Sequence, residues 1–117
     1  MSTPLSILRR GDVWIADFDP VQGHEQGGRR PALVISTDRF NAGPSRLVAL
    51  LPLTTRLRGV PTHVSVAPPD GGLDRSSAIL CDQLRILSQG RLDRRLGRVS
   101  PPILAAVETI LRRILDL

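Results

Sequence analysis

Short apolar runs, broken by glycine, proline and charge, fill most of the chain, and one helical period closes it. Asp12–Phe18 places apolar side chains at both parities, as in a strand covered on each face. Pro20 ends that run, and Gly23, Gly27 and Gly28 mark Val21–Arg30 as a mobile loop. Pro31 opens a second apolar strand over residues 32–36. Residues 39–46 read as a connecting loop, and Leu47–Leu53 predicts a third strand that ends in the pair Thr54–Thr55. Residues 62–67 predict a fourth, with Val64 and Val66 on one face, and a turn cluster follows at 68–74. Residues 77–87 predict a fifth strand, or two with a bend near Gln83. For residues 88–97 a short helix and a loop fit equally well.

The C-terminal pattern has a different period. Ile103, Val107, Ile110 and Ile114 form one stripe, flanked by Leu104, Leu111 and Leu115, with Glu108, Arg112, Arg113 and Asp116 opposite. Ser100 suits an N-cap, and Pro101 suits the first helical position, where a missing N–H costs nothing. About five short strands, glycine and proline turns and one terminal helix predict a mainly β chain with helices. The expected architecture is a small antiparallel β-barrel carrying the helix on its side. Residues 1–117 read as one domain, with 1–8 as a loose lead-in.

Composition narrows the chemistry. The net charge is +5, and all 16 basic residues are arginine. A guanidinium stays charged and matches phosphate in a two-point contact. Such a surface favours a polyanionic partner, although a bias toward arginine codons would equally explain the missing lysine. Trp14, Phe18 and Phe40 are the only aromatic residues, too few for a platform that stacks successive bases. Cys81 is the single cysteine and lies in an apolar run, so an intrachain disulfide is excluded and a buried thiol is expected. With no secretory leader and no segment apolar enough to span a membrane, the chain is expected in the reducing cytoplasm. His24 and His63 have no ligand-spaced partners, so no metal and no cofactor are expected.

Two clusters carry candidate chemistry. In Gly23–Ser36, "GHEQGGRRPALVIS", Glu25, Arg29 and Arg30 flank two glycines on a loop. A solvated turn with a salt bridge would look the same, but the Arg30–Pro31 step anchors that guanidinium at a strand entrance. Fixed guanidinium groups suit a place where negative charge develops. Thr54 and Thr55 precede Arg56 and Arg58, so a hydroxyl there can aim at a phosphate oxygen. His63 could serve as an acid–base group, but in a strand it fits a polar face better. Ser76, Ser77, Asp82 and Gln83 are further candidates for a groove wall.

Taken together, "RRGDVWIADFDPVQGHEQGGRRPALVIS", "LPLTT", "PTHVSV", "GLDRSSAILCDQLRIL" and "RLGRVS" before a final helix resemble the MazF/PemK/Kid family of toxin ribonucleases. The likeness runs from about Arg9 to Leu117. It implies an SH3-like barrel of the plasmid-toxin type, assembled as a homodimer. The implied activity is metal-independent, sequence-specific endonucleolytic cleavage of single-stranded RNA, held in check by a cognate acidic antitoxin. The family's essential arginine falls on Arg30, its threonine on Thr54 and the acid of its turn on Glu25. His24 stands where serine is usual, and Arg56 follows the threonine pair where glutamine is commoner. The expected RNA-binding set is His24, Gln26, Arg29, Thr55, Arg56, Arg58, Thr62, His63, Ser77 and Gln83, with Ser77 and Gln83 on the groove floor. Two alternatives share the fold: a CcdB-like toxin that binds DNA gyrase without catalysis, and an inactive scaffold that binds an antitoxin.

Overall fold

Period-two alternation in this chain serves two cores rather than one. The computed structural model describes residues 8–20 and 22–117. Its elements are β1 (Asp12–Asp17), β2 (Arg29–Val34), α1 (Asp38–Asn41), β3 (Leu47–Thr54), β4 (His63–Val66), β5 (Ser77–Leu80), β6 (Arg85–Ser88), β7 (Leu92–Arg98) and α2 (Pro101–Leu115). Val13, Leu33, Leu51 and Leu53 point to one face, where they meet Ile79, Val107 and Leu111 under α2. Their neighbours Trp14, Ala32, Val34 and Leu50 point the other way and pack with Leu8, Phe18 and Val48. The double-sided apolar pattern of the first strands follows from this arrangement.

Every strand pairing is antiparallel, in the order β4-β5-β3-β2-β1-β7, with β6 also on β3. β3 is the hub. Its first half pairs with β6, from Leu47 opposite Ser88 to Leu50 opposite Arg85. Its end pairs with β5, at Leu53 opposite Ile79 and Thr54 opposite Ala78. Among the described residues the expected barrel is not closed by hydrogen bonds, since β4 and β7 are the two ends of the order. Packing takes the place of a ladder there. A 3₁₀ turn at Asp70–Gly72 lies against β7, so close that a Cβ on Gly97 would sit 2.6 Å from the Gly72 nitrogen. Gly72 also has φ +70°, so both features demand glycine.

β7 occupies the segment whose pattern did not choose between helix and loop. It runs along β1 with register shifts, and Asp12 pins it. That carboxylate is 1% exposed and meets Arg95 at 3.2 Å and Arg98 at 3.5 Å. The bend expected near Gln83 is a 3₁₀ turn, Cys81–Gln83, which separates β5 from β6. The loop at 39–46 begins instead with α1, capped by the Thr37 hydroxyl. The lead-in is tied down at its end. Leu8 is buried, the Arg9 amide donates to Asp12 at 3.0 Å, and Arg10 pairs with Glu108 at 2.6 Å. Residues 1–7 lie outside those described.

α2 starts where the sequence places it, with Pro101 in its first turn. Ser100 occupies the N-cap, but its side chain does not cap the helix. Its Oγ donates to Asp70 at 2.6 Å, and its amide to the same carboxylate at 2.8 Å, which ties the helix entry to the 3₁₀ turn. Val107 and Leu111 are buried, whereas Ile114 and Leu115 at the end of the stripe are exposed. Among the described residues no helix is long and apolar enough to cross a membrane.

Cys81 is fully inside the first core, and burial, followed by the nearby Asp82 charge, pushes its thiol up to about 12. The fold thus favours the neutral thiol. Its contribution to stability is complete below the ordinary thiol range of about 8.5 and is lost as pH rises toward 12. The chain has no lysine and no tyrosine, so no other side chain titrates across that interval. The melting temperature of the wild type therefore falls steadily from about pH 9 upward, while that of Cys81→Ala stays nearly flat. Thermal melts of both proteins from pH 7 to 11 check this.

Candidate active site

Register brings the two leading candidates together. Ala32 pairs with Pro52 between β2 and β3, so two residues further out Arg30 and Thr54 come level on the same face. Both line a cavity of about 520 Å³, with Gln26, Arg29, Pro31, Leu53, Thr55 and Arg56. A second cavity, of about 350 Å³, adjoins it and shares Gln26, Thr54 and Arg56. Its other walls are His24, Arg58, Val60, His63, Leu80, Asp82 and Gln83. The two form one groove across the ends of β2, β3 and β5.

Arg30 is half-buried, and two carbonyls fix it. Its Nε donates to Gly27 O at 2.8 Å and one NH1 proton to Leu53 O at 3.3 Å. A guanidinium has five N–H donors, so the rest of the fork remains for a ligand. The Thr54 Oγ1 accepts from the Arg56 amide at 3.1 Å, which orients the hydroxyl and leaves its proton to donate. Arg29 meets Asp93 of β7 at 2.5 Å. No carboxylate lines the first cavity, whose walls carry three arginines. Electrostatically this is a place for an anion.

Hydrogen bonds hold the loop that the glycines marked as mobile. The Phe18 amide donates to Gly28 O at 3.0 Å, Gly28 N to Asp19 at 2.9 Å, and Gln26 N to the Gln83 side chain at 2.8 Å. Arg91 adds a bond to Asp19 O. Glu25 lines neither cavity. One of its oxygens accepts from Gln22 N at 2.8 Å, and the other lies 3.5 Å from Arg85 Nε.

The remaining candidates divide. His24, Gln26, Arg29, Thr55, Arg56, Arg58, His63 and Gln83 line the groove. Thr62 supports it from outside: its hydroxyl donates to Asp82 at 3.1 Å, and Asp82 lies 3.8 Å from His63 Nε2. Ser77 is not on the groove floor. It pairs with Val66 inside the sheet, is buried, and spends its hydroxyl on Arg75 O at 3.0 Å. Sequence reasoning passed over Arg85, whose one signal was a charge inside an apolar run. Among the described residues no group of three or more His, Cys, Asp or Glu is placed to hold a metal ion.

A family model for PemK-like, MazF-like toxins of type II toxin–antitoxin systems matches residues 9–115. The chain belongs to that toxin family. It is 41% identical over 95 residues to the endoribonuclease MazF of Staphylococcus saprophyticus, a match covering 80% of this chain and 79% of that one. Among solved structures, MazF from Deinococcus radiodurans superposes with a TM-score of 0.84 at 34% identity, over 94% of this chain and 97% of that one. An endoribonuclease from a mycobacterial species, solved with its cognate antitoxin, gives 0.78 at 28% identity, over 94% and 96%. These likenesses support the ribonuclease reading rather than the gyrase-binding alternative: the activity of this toxin is that of an endoribonuclease.

For a toxin ribonuclease, the arginines of the groove should set how strongly binding depends on salt. Replacing both Arg56 and Arg58 with serine leaves up to two phosphates without a cationic partner. The slope of log K against log salt for a single-stranded RNA should shrink in magnitude by about 0.7 for each phosphate no longer neutralised. Anisotropy titrations at several salt concentrations measure it.

Proposed function

We propose that the groove cuts single-stranded messenger RNA at short specific sequences, without a metal, by bringing a ribose 2′-oxygen onto the adjacent phosphorus. The observation that carries this reading is the Arg30 guanidinium, fixed by Gly27 O and Leu53 O on the same cavity wall as the Thr54 hydroxyl. As the 2′-oxygen bonds to phosphorus, charge grows on the non-bridging oxygens. Arg30 donates to them through the part of its fork that the carbonyls leave open, and Thr54 adds a second donor. The 2′-hydroxyl loses its proton to His24, which lines the groove, rather than to Glu25, which does not. The P–O5′ bond breaks and the 5′-oxygen leaves with a proton from solvent. The products are a 2′,3′-cyclic phosphate, open to hydrolysis to a 3′-phosphate, and a 5′-hydroxyl end. DNA lacks the attacking oxygen and is not cut.

Base choice then falls to the groups that line the second cavity, His24, Arg58, His63, Asp82 and Gln83, which can meet the edges of unstacked bases. A cognate acidic antitoxin competes for the same basic groove, as charge complementarity favours. The toxin acts as a homodimer in the cytoplasm. Support for the dimer comes from apolar surface that one copy leaves open. Ile86 on β6 and Leu115 and Leu117 near the end of α2 are exposed, beside a cavity of about 280 Å³ lined by Ile35, Leu84 and Leu111.

Arg30→Ala should lower the cleavage rate about 10²–10³-fold with the fold intact, and Thr54→Val about tenfold. EDTA should leave the wild-type rate unchanged. His24→Gln should remove the acidic limb of the rate–pH profile. Near-normal cleavage by a folded Arg30→Ala protein would refute the assignment, and mapped 5′-hydroxyl ends are the readout.

A further inference from the structure

Arg85 lies outside the groove, yet it sits at the start of a chain of contacts that ends on Arg30. Its backbone is fixed by β6, opposite Leu50 of β3, the strand that ends in Leu53 and Thr54. Its side chain is mostly buried and engaged on three sides. NH1 donates to Phe18 O at 2.8 Å, Nε faces Glu25 at 3.5 Å, and the guanidinium lies over the buried Phe18 ring at 5.6 Å from its centroid. Phe18 is where the chain leaves β1 for the loop, and Glu25 is the middle of that loop. Two residues before Arg85, the Gln83 side chain accepts from Gln26 N at 2.8 Å. The next residue along the loop, Gly27, supplies the carbonyl that receives Arg30 Nε at 2.8 Å. The short segment Gln83–Arg85 thus grips Glu25 and Gln26, and Gly27 behind them aims the guanidinium.

We infer that Arg85 is a positioning residue for Arg30, acting through Glu25, so that the Glu25 carboxylate serves as a tether rather than as the base. This deepens the proposed function and rests on it, because the guanidinium being aimed is the one assigned to the phosphate. Glu25 is consistent with a tether: both oxygens face partners within the protein, and it lines neither cavity. Without Arg85 the loop keeps the Phe18–Gly28 bond and the Gln26–Gln83 bond, but Glu25 loses its cationic partner and the Gln26 anchor loses the neighbour that steadies it. Arg30 then samples orientations in which its free N–H groups miss the developing charge. A displacement of about 1 Å at such a group costs up to about 10²-fold in rate.

The test is a mutant cycle on the full-length protein, with kcat and KM measured on an RNA the wild type cleaves. Arg85→Ala and Glu25→Ala should each lower kcat about 10- to 100-fold with KM changed less than about threefold, and the double variant should be no worse than either. Glu25→Gln, which can still accept from Gln22 N and face Arg85, should lose less than Glu25→Ala and should keep the acidic limb of the rate–pH profile. Hydrogen exchange gives a readout independent of activity: the Gln26 amide should exchange faster in Arg85→Ala and in Glu25→Ala. Glu25 is on a partly exposed loop, so its variants keep the test available if Arg85→Ala does not fold. Additive effects, an unchanged Gln26 amide, or a Glu25→Gln protein as damaged as Glu25→Ala with the acidic limb gone would each overturn the inference. Absence of cleavage by the wild type would instead refute the ribonuclease mechanism, and the exchange result would still decide the tether.

Discussion

One guanidinium between two carbonyls organises this molecule's chemistry. Arg30 belongs to β2, but its side chain bonds the loop at Gly27 and the end of β3 at Leu53. The loop end, the start of β2 and the end of β3, 23 residues further along the chain, are thereby brought to one point, and the Thr54 hydroxyl stands beside it on the same cavity wall. A freely rotating arginine would lose entropy each time it met a phosphate. This one has already lost much of that freedom on folding, so the charge stands ready before a ligand arrives, as electrostatic stabilisation of a transition state requires.

The scaffold explains how a small chain holds such a charge steady. The strands carry apolar side chains on both faces, and each face has its own buried cluster. β3 is the element common to all of it: it pairs with β2, β5 and β6 and delivers Leu53 and Thr54 to the groove. Where the strand order ends, at β4 and β7, backbone packing between Gly72 and Gly97 and the buried Asp12 carboxylate with Arg95 and Arg98 complete the wall. Breaking that carboxylate cluster from one side would leave a buried charge without compensation, which is costly.

Much of this was legible in the sequence, for physical reasons that differ by element. The apolar strands and the terminal helix follow from period, and the helix start from Pro101. Arg30 was legible because a proline follows it and anchors its strand. What escaped was set by tertiary contacts. β7 reads "LDRRLGR", with too few apolar positions to mark a strand, because its backbone pairing to β1 is backed by ion pairs, Arg95 with Asp12 and Asp93 with Arg29, more than by a hydrophobic face. Ser100 has the right type for a cap, but the Asp70 carboxylate, 30 residues away in sequence, claims its hydroxyl. Ser77 looked like a groove residue because its type is polar, yet the register with Val66 buries it. The loop glycines suggested mobility, and the side chains that restrain the loop, Gln83 and Arg85, come from a distant segment.

The most direct measurement is a crystal structure of this toxin with a substrate RNA carrying a 2′-deoxy sugar at the scissile position, which binds but cannot react. The account predicts the scissile phosphate in the cavity of about 520 Å³, one non-bridging oxygen within hydrogen-bond distance of Arg30 and another within reach of the Thr54 hydroxyl. A scissile phosphate seated elsewhere, with Arg30 still bonded to Gly27 and Leu53 and facing no part of the RNA, would contradict it.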